Sequence, residues 1–228
     1  MKALPVILSW SGGKDSALAL HALRREARYR VAGLLTSVNA HYGRISMHGV
    51  REDLLDAQAE SIGLPLHKIK LSGRPSNEEY EQKMRAALES FQAQGIRHVA
   101  FGDLFLEDIR QYRIEHLRQT GMDCLFPLWH KPTDKLAREF TALGFKAVLC
   151  CVDGRALAAE FAGREYDDAL LHDLPADVDP CGEHGEFHTF VYAGPVFRHA
   201  IHFTRGARVN RDERFYFCDL IPVQEALA

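Results

Sequence analysis

A chain of 228 residues, 46% of them apolar, is long enough for one large α/β domain or for one domain with a smaller appendage. Its net charge of −3 argues against a general nucleic-acid binder, and its five cysteines (Cys124, Cys150, Cys151, Cys181, Cys218) contain no C-x-x-C pair, which fits a reducing cytosol better than a disulfide framework. A start with Lys2 and a short apolar run is too brief for a signal peptide, and no stretch approaches membrane-spanning length, so a cytoplasmic protein with no membrane attachment is expected.

The first predicted strand is the apolar run from Leu4 to Leu8, and a helix-patterned stretch runs from Ala17 to Ala27. Between them stands Ser11-Gly12-Gly13-Lys14-Asp15-Ser16. A strand, a glycine pair and a helix in that order build a phosphate site. Residues without a Cβ let successive backbone N–H groups turn inward at the positive end of the helix. Lys14 adds a point charge, and the hydroxyls of Ser11 and Ser16 add donors. The nucleotide-triphosphatase loop G-x-x-x-x-G-K-[ST] is absent because Asp15 follows the lysine, and G-x-G-x-x-G fails because Gly12 and Gly13 are adjacent. For a bare S-G-G, a plain turn into a helix capped by Asp15 or Ser16 would be preferred; all six residues behind a buried strand favour a phosphate site.

Further along, Arg30 to Thr36, Leu66 to Leu71 and His98 to Phe101 read as strands. Helical periodicity marks Glu52 to Ile62 and Asn77 to Gln94, the latter with Tyr80, Met84, Leu88 and Phe91 at spacings of three and four. This alternation predicts a doubly wound parallel sheet with helices on both faces. Ligands collect beyond the carboxyl ends of such strands, where Ser11, Ser37 and Asp103 are expected. Past Pro127 the rhythm continues once more, with Thr133 capping a helix to about Leu143 and a strand from Phe145 to Val152. After Gly163 the character changes. A loop rich in proline, aspartate and glycine precedes three expected antiparallel strands, His188 to Tyr192, Val196 to Phe203 and Phe215 to Ile221, the last two separated by polar residues 206–213.

A second dense patch runs from Asp179 through Pro180, Cys181, Gly182, Glu183, His184, Gly185, Glu186, Phe187 and His188 to Thr189 and Phe190. Glycines bracket Glu183 and His184, so the carboxylates of Glu183 and Glu186 are placed to share a cleft and hold an amino-bearing substrate or magnesium. A polar turn between domains is the plainer alternative. Cys181, His184 and His188 raise zinc, but neither a paired-cysteine spacing nor H-E-x-x-H is present.

The Ser11 to Ser16 segment resembles the S-G-G-x-D-S loop of the PP-loop ATP pyrophosphatases, which cut ATP between its α and β phosphates. Together with Ser46-Met47-His48-Gly49, Phe101-Gly102-Asp103, Tyr112-Arg113, Phe126-Pro127-Leu128-Trp129 and Gly182 to Thr189, it is similar to one subgroup, the diphthine–ammonia ligase family and its ATP-binding relatives. The resemblance runs in order from Leu8 to about Phe197. Its most diagnostic part is G-E-x-G-E-[FY]-x-T at Gly182 to Thr189.

The resemblance implies an adenine nucleotide α-hydrolase-like domain over residues 1–126 and a smaller α+β substrate domain over 127–228. By it, Ser11, Gly12, Gly13, Lys14, Asp15 and Ser16 hold the ATP phosphates, Met47 and His48 lie near the nucleotide, and Gly102 and Asp103 line the same cleft with Ser37. Glu183, Gly185, Glu186 and Thr189 shape the acceptor site, Arg113 is a candidate either to support another site residue or to contact phosphate, and Trp129 is expected in packing. By the same resemblance, no module like the extra C-terminal ones of larger relatives is expected within these 228 residues.

The implied reaction is adenylation of a carboxylate followed by amidation with free ammonia, since no glutaminase segment is visible. Magnesium on Asp15 and Asp103 would accompany ATP. The expected acceptor is a carboxylate, either a diphthine-like protein residue or a small molecule, and a homo-oligomer is compatible with the sequence. Rival readings are another acceptor, including tRNA thiolation, which would need a persulfide-carrying cysteine and a basic surface, or a sensor that binds ATP or AMP without catalysis.

Overall fold

The computed structural model describes residues 2–45 and 49–223. They divide into two compact units, one holding the chain up to Ser11, Asp15–Gly43 and Leu64–Lys131, the other Gly12–Lys14, Arg44–Gly63 and the chain from Pro132 onward. Among the described residues no helix is long and apolar enough to cross a membrane.

The first unit is an α/β layer structure. Strand β1 (Leu4–Ser9) is followed by helix α1 (Lys14–Arg25), and β2 spans Tyr29–Asn39. The two-residue β3 (Arg44–Ile45) and helix α2 (Glu52–Ile62) come next in the chain, before β4 (Leu66–Leu71), α3 (Asn77–Ala93), β5 (His98–Ala100), α4 (Glu107–Gln119) and β6 (Asp123–Leu125). Strands β4, β2, β1, β5 and β6 pair in that order, every pair parallel. The chain builds outward from β1 first through β2 and β4, then on the opposite side through β5 and β6. Adjacent β1 and β5 therefore flank the topological switch point, the place beyond whose strand ends open α/β sheets bind ligands.

Helices α3 and α4 cover the sheet, and Leu88, Phe91 and Leu117 join Ile7, Leu35, Ile69 and Val99 in a buried cluster with Tyr80 and Met84 at its margin. The three-and-four spacing in α3 thus marks its inner face. Ser76 caps this helix by accepting from the Glu79 N–H at 3.1 Å. Helix α4 has Leu117 as its one buried residue, so it carries no apolar stripe to announce it.

In the second unit, α5 (Thr133–Ala142), β7 (Lys146–Asp153), α6 (Asp168–Asp173), β8 (Phe187–Ala193), β9 (Phe203–Arg211) and β10 (Phe215–Pro222) complete the fold. Its sheet has the order β8-β7-β10-β9 and is antiparallel throughout. Phe140, Phe145, Tyr166 and Phe187 form a chain of ring contacts in its core. Within this unit α2 ends on Gly63, whose φ of 75° turns its N–H back to the carbonyls of Ala59 and Glu60. Asp219 of β10 accepts hydrogen bonds from both Arg51 and Arg44.

Four expectations from sequence are corrected. Strand β7 does not continue the parallel rhythm; it is central in the antiparallel sheet. Residues 196–202 are not a strand, and the polar segment after them is β9, an edge strand paired to β10 alone and exposed along most of its length, so it needs no apolar alternation. Thr133 does not cap α5: Pro132 occupies the N-cap position, and the Thr133 hydroxyl donates instead to Asp179 at 2.7 Å. Helix α1 begins at Lys14, which places Asp15 and Ser16 inside the first turn rather than ahead of it.

Candidate active site: a phosphate loop and an acidic loop

Strand β1 ends at Ser9, and Trp10 N–H still donates to the Leu35 carbonyl at 2.8 Å, so the chain leaves the sheet only at Ser11. Gly12 then adopts φ +78°, a left-handed conformation that favours glycine. The hydroxyls of Ser11 and Ser16 approach to 3.3 Å across the loop. Asp15 in the first turn of α1 complements the helix's positive end.

Within the second unit, the Gly12 carbonyl accepts from the Val191 N–H at 2.9 Å and from Gln58 Nε2 at 3.0 Å. The Lys14 N–H donates to Thr189 Oγ1 at 3.0 Å. Lys14 itself is 2% exposed, with its ammonium 5.9 Å from the centroid of the Phe187 ring. Burial in a weakly polarisable environment strengthens the lysine's attraction for any anion that reaches it.

The first unit brings Gly102, just past β5, against the start of α1. A Cβ there would lie 2.9 Å from the Asp15 carbonyl carbon and 3.1 Å from Ser16 N, so this close approach of two backbones requires glycine. Asp103 receives Arg113 in a forked pair, Nε to Oδ2 at 2.5 Å and Nη2 to Oδ1 at 3.1 Å, and the guanidinium lies 4.3 Å from the Phe101 ring centroid. Arg113 is therefore committed to orienting Asp103. Ser37 lies on the part of β2 that extends past the end of β1, where Ser9 pairs with Leu35. Met47 and His48 fall outside the described residues.

The acidic loop of the second unit is tied by its own carboxylates. Glu186, 7% exposed, accepts from Asp179 N–H at 3.0 Å with one oxygen and from His184 N–H at 2.9 Å with the other. Asp179 accepts from the N–H groups of Cys181 and Glu183 and from the Thr133 hydroxyl. Gly182, at φ +67°, would set a Cβ 2.8 Å from the Phe187 carbonyl, and Gly185, at φ +85°, has open space around it. Half-buried Glu183 and exposed His184 stand on the turn so formed. Cys181 Sγ meets the Thr133 carbonyl at 3.3 Å, and among the described residues no three His, Cys, Asp or Glu side chains are grouped as metal ligands.

Sequence reasoning missed Gln58, which looks like one polar residue among several in α2, and the use of Asp179 and Glu186 as acceptors for the loop's own backbone. Glycine density around Glu183 was the available signal for the latter, because a tight turn leaves amide groups that need acceptors.

Family models match most of the chain. The diphthamide synthase N-terminal domain matches residues 4–124, and the diphthamide synthase C-terminal domain matches residues 132–220. Diphthine–ammonia ligase of Schizosaccharomyces pombe is 27% identical over 221 residues, covering 88% of this chain and 36% of that protein. Diphthine–ammonia ligase of Mus musculus is 25% identical over 215 residues, covering 84% and 79%. A tRNA(Ile)-lysidine synthase of Xanthomonas campestris is 34% identical over 98 residues, 42% of this chain and 20% of its own length. The chain thus spans about a third of the fission-yeast ligase and about four fifths of the mouse one.

Proposed function

The chain belongs to the diphthamide synthase family of the PP-loop superfamily, and from that premise we propose that it is an ATP-dependent ligase that adenylates a substrate carboxylate and amidates it with ammonia. One observation carries this reading: the Ser11 to Ser16 loop leaves β1 at the sheet's switch point, opens α1 and carries a buried Lys14. In the same reading residues 1–126 serve the nucleotide and 127–228 the acceptor, in the cytoplasm where ATP is made available.

A carboxylate resists ammonia because its oxygen leaves poorly. Attack of that oxygen on the α phosphorus of ATP forms a new P–O bond and breaks the bond to the bridging oxygen, releasing pyrophosphate. Ammonia then adds its lone pair to the acyl carbon, AMP departs with the C–O electrons, and the nitrogen loses a proton to give the amide. The protein's part is positioning and charge. Lys14 draws the departing phosphates by its ammonium, since its N–H is engaged by Thr189. Ser11, Gly12, Gly13 and Ser16 cradle them, while Ser37, Met47, His48, Gly102 and Asp103 complete the nucleotide side. Glu183 faces the acceptor or incoming amine. Gly185 and Glu186 hold its loop in shape, and Thr189 joins that loop's strand to the phosphate loop.

Magnesium takes one or two carboxylates and otherwise phosphate oxygens and water. In this reading Asp15, in the first turn of α1, and Asp103, whose carboxylate is paired with Arg113, would be the carboxylates that hold such an ion. Bound with the nucleotide, the ion would neutralise charge on the phosphates.

The test supplies wild-type protein and Asp15→Ala with magnesium–ATP, ammonium and a diphthine-bearing acceptor protein. Pyrophosphate and AMP are expected from wild type only when the acceptor is present, and none from the variant. Equal release by the variant would reject the site. ATP bound but never consumed, across carboxylate acceptors, would make the protein a sensor instead.

A further inference from the structure

Gln58 is wholly buried on α2. A carboxamide removed from water has two N–H donors that must find acceptors. Both acceptors are main-chain carbonyls, Gly12 at 3.0 Å and Val191 at 2.6 Å. Because each partner can only accept, the amide has one possible orientation, with nitrogen toward them. The Val191 N–H also reaches the Gly12 carbonyl, at 2.9 Å, so that oxygen is held by two donors at once. No space remains between amide and loop: a Cβ on Gly12 would stand 3.0 Å from Gln58 Oε1 and 2.9 Å from Leu55 Cδ2.

The consequence lies in the next peptide plane. In a trans peptide the carbonyl and the following N–H point to opposite sides. Holding the Gly12 oxygen toward Gln58 and Val191 therefore aims the Gly13 N–H away from them. A Gly-Gly pair has little steric resistance to rotating that plane by half a turn. The rotated plane would present a carbonyl oxygen where an anion binds.

We propose that Gln58 is a positioning residue for the nucleotide phosphates: its buried amide locks the Gly12–Gly13 peptide with the Gly13 N–H facing the phosphate, a role that rests on Ser11 to Ser16 being the ATP site. Removing the donors while keeping the bulk should lower ATP affinity by about tenfold, the cost of one buried hydrogen bond.

The experiment titrates the full chain with magnesium–ATP and with adenosine, by calorimetry, for wild type, Gln58→Met, Gln58→Glu and Asp15→Ala. Gln58→Met should bind ATP about tenfold more weakly and adenosine within about twofold of wild type, and Gln58→Glu, with no donors, should behave alike. Equal ATP binding by wild type and Gln58→Met overturns the role while leaving the ATP site intact. Parallel loss of ATP and adenosine also overturns it, as a purely structural effect. No ATP binding by wild type, or undiminished binding by Asp15→Ala, overturns the ATP site itself. Should both Gln58 variants misfold, the amide spectrum of the wild type decides: the Gly13 N–H signal should move strongly on adding ATP, and an unmoved signal rejects the proposal.

Discussion

The hydroxyl of Thr189 accepts a hydrogen bond from the backbone N–H of Lys14 at 3.0 Å, across 175 residues of sequence and with both groups buried. The last residue of the chain's most diagnostic motif thus acts on the first residue of α1. Thr189→Val keeps the shape and removes the acceptor. Stability should fall by about 1–3 kcal/mol, and ATP affinity should fall with it. Thr189→Ser, which retains the hydroxyl, should recover most of both. Urea unfolding and calorimetry measure the two effects.

Gly102→Ala places a methyl group 2.9 Å from the backbone of Asp15, and backbone cannot move aside as a flexible side chain does. We expect a loss of about 1–3 kcal/mol, the usual cost of overpacking, together with a sharp fall in ATP-dependent pyrophosphate release. Gly185→Ala, with open space around it, meets no such clash and costs only the strain of its positive φ.

Arg51 first, and Arg44 with it, hold the Asp219 carboxyl below its ordinary range. A depressed acid contributes stability that is present above its unfolded pKa of about 3.9 and lost as pH falls through the lower folded value. Asp219→Asn should therefore cost about 1–2 kcal/mol at pH 7 and flatten the acid limb below about pH 4. Thermal melting between pH 2 and pH 7 would show it, and an unchanged acid limb would count against the pairing.

Burial pushes the Cys124 thiol up to about 11, Cys151 to about 12 and Cys150 well above its ordinary value, and Cys218 is raised for the same reason. Thiolates at these positions are scarce at neutral pH. Iodoacetamide at pH 8 should label the native protein far more slowly than the urea-unfolded chain. Rapid labelling of Cys124 or Cys218 would revive a role for sulfur chemistry.

Buried, periodic segments were the legible ones. Helix α2 and strand β4 occur at the limits their apolar patterns predict: α2 buries one face, and β4, the edge strand beside β2, still buries Ile69 and Leu71. Helix α4 and strand β9 were not legible, since one is polar nearly all round and the other is an exposed edge. For strand β7 the sequence carries the strand but not its sheet: a strand buried along almost its whole length reads alike in a parallel sheet and at the centre of an antiparallel one. At the site, the Ser11 to Ser16 loop could be read because glycine pairs and strand–helix junctions leave a local signature. Gln58 could not, for its partners lie 46 and 133 residues away and only the folded chain brings them together.

The bonds that Val191 N–H donates to Gly12 and that Thr189 accepts from Lys14 N–H bear on how this molecule can be dissected. A gene fragment ending at Lys131 would encode every residue proposed to hold the nucleotide yet omit the strand bonded to Gly12 and Lys14. Such a truncation should not recover nucleotide binding, and supplying the missing portion as a separate polypeptide should restore it only if the two reassemble.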